Sequence, residues 1–295
     1  MKLTTAAIGI LIVHCLLSIA QPAGAEEPSG EMSDADSERN PEGGFLELGL
    51  AMTLRDNHIL QPEPDDNEDV ELEFEISVSA GYRFRNFFIE GTDQIEGIDD
   101  GFSGLNLGAT LLETAHWDVD LLFANIAGTA TVDSEDPPPP ETEAQRNYAI
   151  LNRDSLFVAA GPRLRGYFND TIVQLRLVSD WYDDNGILAS ARVGRQWQLG
   201  NINLQAIAGA RFFSDKFSNY IYGISESEQS ERFPAYTATR SIIPEVELGL
   251  SKPLNRDWVL RSRMRIRQYP NSISDSPLAV SDRHIVITTG IHYVF

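Results

Sequence analysis

The chain has 295 residues, with 44 acidic against 23 basic side chains and a formal net charge of -21 at pH 7. That balance excludes a nucleic-acid partner, because a phosphate backbone would be repelled rather than neutralised. Beyond the N-terminal segment no stretch holds 18 consecutive apolar residues, so helical membrane spans are not expected there.

Lys2 precedes an apolar run from Ala6 to Ala20, and Ala23-Gly24-Ala25 places small residues where a signal peptidase reads. Residues 1–25 therefore read as a secretory signal peptide cleaved before Glu26. The run is shorter than the roughly 20 residues of a helical anchor. Cleavage would remove Cys15, the single cysteine, so export brings no internal disulfide. Residues 26–42 are dominated by Glu, Asp, Ser and Pro and read as a disordered acidic leader. The folded domain is expected at 43–295.

From Gly43-Gly44 onward the texture is alternation. Leu46, Leu48, Leu50, Met52 and Leu54 interleave with small and polar residues, and Val70 to Tyr82 sets Leu72, Phe74, Ile76 and Val78 against Glu71, Glu73, Glu75, Ser77 and Ser79. A period of two is a strand with one apolar and one polar face. The pattern returns at Leu105–Leu111, Trp117–Phe123, Ile187–Val193, Ile202–Phe212, Val246–Leu250, Trp258–Ile266 and Ile285–Phe295. Less regular versions occupy Phe84–Ile89, Leu156–Leu164 and Thr171–Val178. The sum predicts an all-β, antiparallel up-and-down barrel of about 12 strands (roughly 10 to 14), an even number being preferred in this class.

Alternation alone leaves open whether the apolar side is the interior of a soluble barrel or the lipid face of a membrane barrel. Strand lengths of 10 or more residues suit a tilted bilayer crossing better than a soluble sheet. The ending supports the same side: Ile291, Tyr293 and Phe295 alternate to the last residue. That aromatic finish resembles the signal recognised by the outer-membrane insertion machinery. The expected partners are outer-membrane lipid and that machinery, with the cell outer membrane as location.

The polar faces carry charge in rows: Glu71, Glu73 and Glu75 on one strand, and Arg261, Arg263, Arg265 and Arg267 on another, with Arg163, Arg165, Arg176 and Arg192 elsewhere. Inside a barrel, such rows either form a charge-selective constriction or pair with one another across a plugged lumen, since buried charges need partners. Asn169-Asp170, Leu199–Asn201 and Asn255–Asp257 read as tight turns. Asp56–Asp69, Ala127–Asn147 (with Pro137–Pro140), Ser214–Thr239 and Pro270–Asp282 read as long outer loops. The acidic cluster Asp65–Asp69 reads as a solvated loop, and neither a metal nor a cofactor is expected.

Inside the third long loop stands Tyr220-Ile221-Tyr222-Gly223-Ile224, followed by Glu226 and then Ala235-Tyr236. With Ser276-Pro277-Leu278 and the Gly290–Phe295 ending, this box resembles the MipA/OmpV family of outer-membrane proteins. The chain departs from that family at Gln61–Asp66, where members carry a tyrosine-rich stretch. The resemblance implies an outer-membrane barrel that is a scaffold for a lytic transglycosylase and a murein synthase, or alternatively a small porin-like or adhesive surface protein. It supplies no catalytic residues. Tyr220, Tyr222, Gly223 and Tyr236 are candidates for a docking surface or for the aromatic belt at the membrane interface. His58, His116, His284 and His292 stand apart in sequence, and no nucleophile elbow or zinc-binding helix accompanies them, so no catalysis is expected.

Overall fold

The computed structural model describes residues 42–60, 70–91, 105–124, 142–151, 158–181 and 184–295. The expected signal peptide, the leader up to residue 41, the Asp65–Asp69 cluster and Pro137–Pro140 lie outside them. The described residues form twelve strands: β1 (Gly43–Arg55), β2 (Glu71–Phe84), β3 (Phe87–Gly91), β4 (Leu105–Glu113), β5 (Trp117–Ala124), β6 (Ala159–Phe168), β7 (Thr171–Asp180), β8 (Ile187–Leu199), β9 (Ile202–Phe213), β10 (Ser241–Pro253), β11 (Trp258–Gln268) and β12 (Arg283–Val294). Each pairs antiparallel with its neighbour in sequence, and β1 pairs with β12 from Glu47↔Val294 to Arg55↔Val286, so the sheet closes on itself. Closure removes the open edges that a bilayer would not tolerate.

One expected strand is corrected. Phe84–Ile89 is a hairpin, in which Arg85 and Asn86 turn β2 into β3 and Arg85 adopts φ 54°. Aromatic residues on both sides of the turn, Phe84 and Phe87, disguised it as a continuous run. Three helices also lie within expected loops: α1 (Glu143–Leu151), α2 (Asp215–Tyr222) and α3 (Asn271–Ser274). The Ser214 side chain caps α2 by accepting from the Phe217 N–H. Among the described residues no helix is long and apolar enough to cross a membrane.

The burial pattern decides which face is which. Phe74 is 79% exposed, Ile76 76% and Leu50 73%, whereas Asp118, Asp120, Glu247 and Arg163 on the opposite parity are at most 1% exposed. Water would not leave such a continuous apolar outer surface uncovered; hydrocarbon does. Exposed aromatic rings, among them Phe84, Trp117, Phe168, Trp197 and Trp258, gather near the short-turn end. Trp117–Phe168 and Trp258–Tyr293 make edge contacts at 5.3 and 5.2 Å. This is the girdle expected where lipid headgroups meet the barrel.

The lumen is layered. At the long-loop end the strand tips carry Ala124, Ala159, Val178, Leu188, Phe213 and Ile243, which pack under Phe217, Tyr222, Tyr269 and Ile273 from the connections. Ile150, Ile224, Phe233 and Leu278 form a second apolar cluster in the same connections. The backbone pairs Ile224 with Tyr236 and Ile59 with Ala279, tying the loops to one another. Below this apolar cap lies a belt of buried charge, and below the belt a polar cavity.

Candidate functional site

The belt is built from residues that the ladders align across the strands. On β10 and β11 the register sets Glu245 opposite Arg267 and Glu247 opposite Arg265. Arg265 Nε meets Glu247 Oε2 at 2.7 Å and Arg267 Nε meets Glu245 Oε2 at 3.4 Å. Arg211 on β9 reaches Glu245 at 3.0 Å, and Arg192 on β8 reaches both Glu245 at 3.0 Å and Glu247 at 3.4 Å. Across the barrel, Arg163 engages Asp120 at 2.9 Å and Glu90 at 2.6 Å, and Arg165 lies 3.0 Å from Asp120. Charges taken out of water at this depth are tolerated only when matched. Every carboxylate of the belt named here has at least one guanidinium within reach.

The two rows expected from sequence are not neighbours in the sheet, because β1 and β12 lie between β2 and β11; they meet at the polar cavity, which Glu75, Arg261 and Arg263 line together. Glu71 and Glu73 are held by Arg55 of β1 at 3.1 and 2.6 Å, and Glu75 accepts from Thr53 Oγ1 at 2.9 Å. Arg265 and Arg267 join the buried belt, while Arg261 bonds Glu47 at 2.5 Å and Arg263 lines the polar cavity below. The partners not singled out from sequence, namely Glu47, Glu90, Asp118, Asp120, Glu245 and Glu247, were all visible as polar residues interleaved between apolar ones. Four of them, Asp118 and Asp120 of β5 and Glu245 and Glu247 of β10, carry the same alternation as the charge rows.

The tyrosine box lies in the cap. Tyr222 is fully buried at the end of α2, and its hydroxyl shares a hydrogen bond with His58 Nε2 at 3.2 Å. His58 stacks on Tyr269 at 4.6 Å and lies the same distance from His284 of β12. Gly223 ends the helix through its N–H to Asn219 O at 2.9 Å. Tyr220 and Tyr236 are partly buried against the same core, and the Tyr236 hydroxyl donates to Ser272 O at 3.2 Å. Tyr222 therefore offers no exposed ring to a partner or to the lipid interface, whereas Tyr220 and Tyr236 keep part of theirs at the surface. At the other end of the barrel, Ile291 is exposed on the outer face, and the Tyr293 and Phe295 rings make an edge contact at 4.7 Å.

The family profile described as "MltA-interacting protein MipA" matches residues 60–295. The chain belongs to the MipA family. It resembles the "Putative outer membrane protein YiaT" of Escherichia coli (strain K12), at 29% identity over 38% of this chain and 46% of that protein. It also resembles the "MltA-interacting protein" of the same strain, at 26% identity over 44% of this chain and 51% of that one. The chain thus matches about half the length of these relatives. Similar solved structures include an anion-selective porin from Comamonas acidovorans (TM-score 0.34, 8% identity, 85% of this chain and 98% of that chain). Another is OmpT of Vibrio cholerae (TM-score 0.30, 10% identity, 87% and 99%). The relatives named as outer-membrane proteins and the lipid-facing barrel together place this MipA-family protein in the outer membrane.

Proposed function

We propose that this MipA-family barrel is a non-catalytic scaffold that holds murein-processing enzymes, a lytic transglycosylase and a murein synthase, at the periplasmic face of the outer membrane. The observation that carries this reading is the burial of side chains in two successive layers of the lumen. Arg163, Arg267 and Glu247 are each at most 2% exposed in the charged belt, and Phe213, Phe217 and Tyr222 are sealed above it. Side chains packed this closely inside the barrel favour its rims, rather than its bore, as the surface offered to a partner. The name of the relative from Escherichia coli, "MltA-interacting protein", supports a protein partner of the same kind.

Short turns of outer-membrane barrels face the periplasm, where murein lies. The described connections on that rim are Arg85-Asn86, Thr114–His116, Asn169-Asp170, Gly200-Asn201 and Leu254–Asp257. The test is affinity chromatography of detergent-solubilised cell envelope on the immobilised, folded barrel. Retention of a lytic transglycosylase or a murein synthase, lost when the barrel is heat-unfolded, is expected. Recovery of neither enzyme at low and moderate salt overturns the scaffold reading.

A further inference from the structure

Beneath the charged belt the lumen opens into a cavity of about 180 Å³. We propose that this cavity is a binding site for a small hydroxylated carboxylate of the sugar-acid class, independently of any scaffold role.

The space is built into the sequence. One cross-strand row runs Gln205, Gly249, Arg263, Thr288, and the row below it runs Asn203, Ser251, Arg261, Gly290. A Cβ on Gly249 would lie 2.5 Å from Gln205 Nε2, so the glycine is what lets the Gln205 carboxamide lie across β10 beside Arg263. Gly290 likewise leaves the position next to Arg261 without a side chain. At Gly290 a Cβ would lie 2.9 Å from His292 Nε2, so in two adjacent rows a glycine lets a neighbouring polar side chain lie over the strand and line the cavity.

The lining chemistry selects the occupant. Arg261 and Arg263 present guanidinium forks, which match carboxylate geometry, against one lining carboxylate, Glu75, which accepts from Thr53; Gln196, Asn203 and Gln205 present carboxamides. A carboxamide offers both a donor and an acceptor, the pairing that neighbouring hydroxyls need. Arg261 gives one donor to Glu47, yet 32% of its side chain stays exposed, leaving other donors for an occupant.

Charge points the same way. The inward faces of β8–β11 carry six arginines (192, 211, 261, 263, 265, 267) against two glutamates, Glu245 and Glu247; Glu47 reaches in from β1 to Arg261 as a third carboxylate. The chain as a whole carries -21. A cationic excess confined to this wall favours an anion within it. The volume lies below the roughly 300 Å³ of drug-sized sites, which suits one sugar-sized unit rather than an oligomer.

The test is isothermal titration of the full-length barrel, folded in detergent, with sodium glucuronate, glucose and inorganic phosphate as separate probes. Glucuronate is expected to bind at least tenfold more tightly than either control. The paired substitution Arg261→Gln and Arg263→Gln should weaken it by more than tenfold while heat-modifiable gel mobility still reports a folded barrel. Gly249→Val, which displaces the Gln205 carboxamide without altering charge, should weaken glucuronate as well. Absence of glucuronate binding at millimolar concentration overturns the proposal. So does glucose or phosphate binding as tightly, or undiminished affinity in the folded arginine pair. Should the variants not fold, the selectivity of the unaltered protein among the three probes still decides. Enzyme retention on the affinity column reads the scaffold role separately, so the two can fail independently.

Discussion

Arg192 on β8 and Glu245 on β10 meet at 3.0 Å although a whole strand separates them. The residue between them in the ladder is Gly209 of β9, paired with Arg192 on one side and with Glu245 on the other. A Cβ there would lie 2.7 Å from Ala191 O and 3.0 Å from Arg192 Cγ. The missing side chain is therefore the path along which the guanidinium crosses β9, and Glu245 collects Arg192, Arg211 and Arg267 at one point.

That convergence makes Glu245 the carboxylate whose loss should cost most. In Glu245→Ala three buried guanidiniums lose a shared counter-charge, and breaking a buried pair in this way costs about 3–5 kcal/mol. Gly209→Leu should act in the same direction by blocking the crossing while leaving every charge in place. Urea unfolding of detergent-folded barrels measures both. Stability within about 0.5 kcal/mol of the unaltered protein, the range of ordinary surface substitutions, would mean that the belt contributes little.

The twelve strands were legible because a membrane barrel keeps one face in hydrocarbon and the other in polar surroundings, which stamps a period of two on nearly every strand. The hairpin at Arg85-Asn86 escaped because Phe84 and Phe87 are both exposed aromatics and no Gly or Pro marks the turn. Charge rows were legible along a strand but their pairing was not. Register fixes who faces whom, and Arg265 finds Glu247 through the β10–β11 ladder, not through sequence distance. Helix α2 was hidden within a polar loop, although Ser214, an N-cap residue type, directly before the acidic Asp215 carried its start signal. The burial of Tyr222 had no local signal, since the ring is covered by residues from other connections.

Tyr222 should govern the cap rather than the barrel. Its ring is fully buried among loop residues, and truncating a buried aromatic costs about 3–5 kcal/mol. In Tyr222→Ala that loss falls on the connection 214–240, so limited proteolysis there should accelerate while the barrel keeps its heat-modifiable mobility. Tyr222→Phe removes only the hydrogen bond to His58, an effect of about 1 kcal/mol, and should accelerate cleavage far less. Equal cleavage rates in all three proteins would separate Tyr222 from the cap.

Asp56 gives the loop end of β1 a dependence on pH. Burial pushes its carboxyl above the ordinary 3.8, against the opposing pull of the Ile285 N–H and Arg283. A raised acid binds its proton more tightly when folded, so its contribution to stability is present below 3.8 and is lost as pH rises through the folded value. Asp56→Asn can still accept from the Ile285 N–H without carrying charge. The variant should therefore match the unaltered protein at acidic pH and exceed it at neutral pH. Comparing the two melting curves across pH 3 to 7 isolates this group from the other carboxylates. A difference that does not change with pH would show that burial of the charge is not what the site costs.

Conduction separates a plugged barrel from a pore. The buried cap and the charged belt lie in series along the bore, so removing one should leave the other in place. The unaltered protein is expected to show no stepwise conductance in planar bilayers, and deletion of residues 215–238 from the cap should change little while Arg163, Arg192 and Arg267 remain buried in the belt. Adding Arg192→Ala, Glu245→Ala and Arg267→Ala to that deletion removes charges of both signs from one row and should give steps of steady amplitude. Regular steps from the unaltered chain would mean that the belt passes ions as it stands, and the Arg/Glu rows would then be a constriction rather than a plug. Steps from the cap deletion alone would assign closure to the loops and leave the belt only the task of neutralising itself.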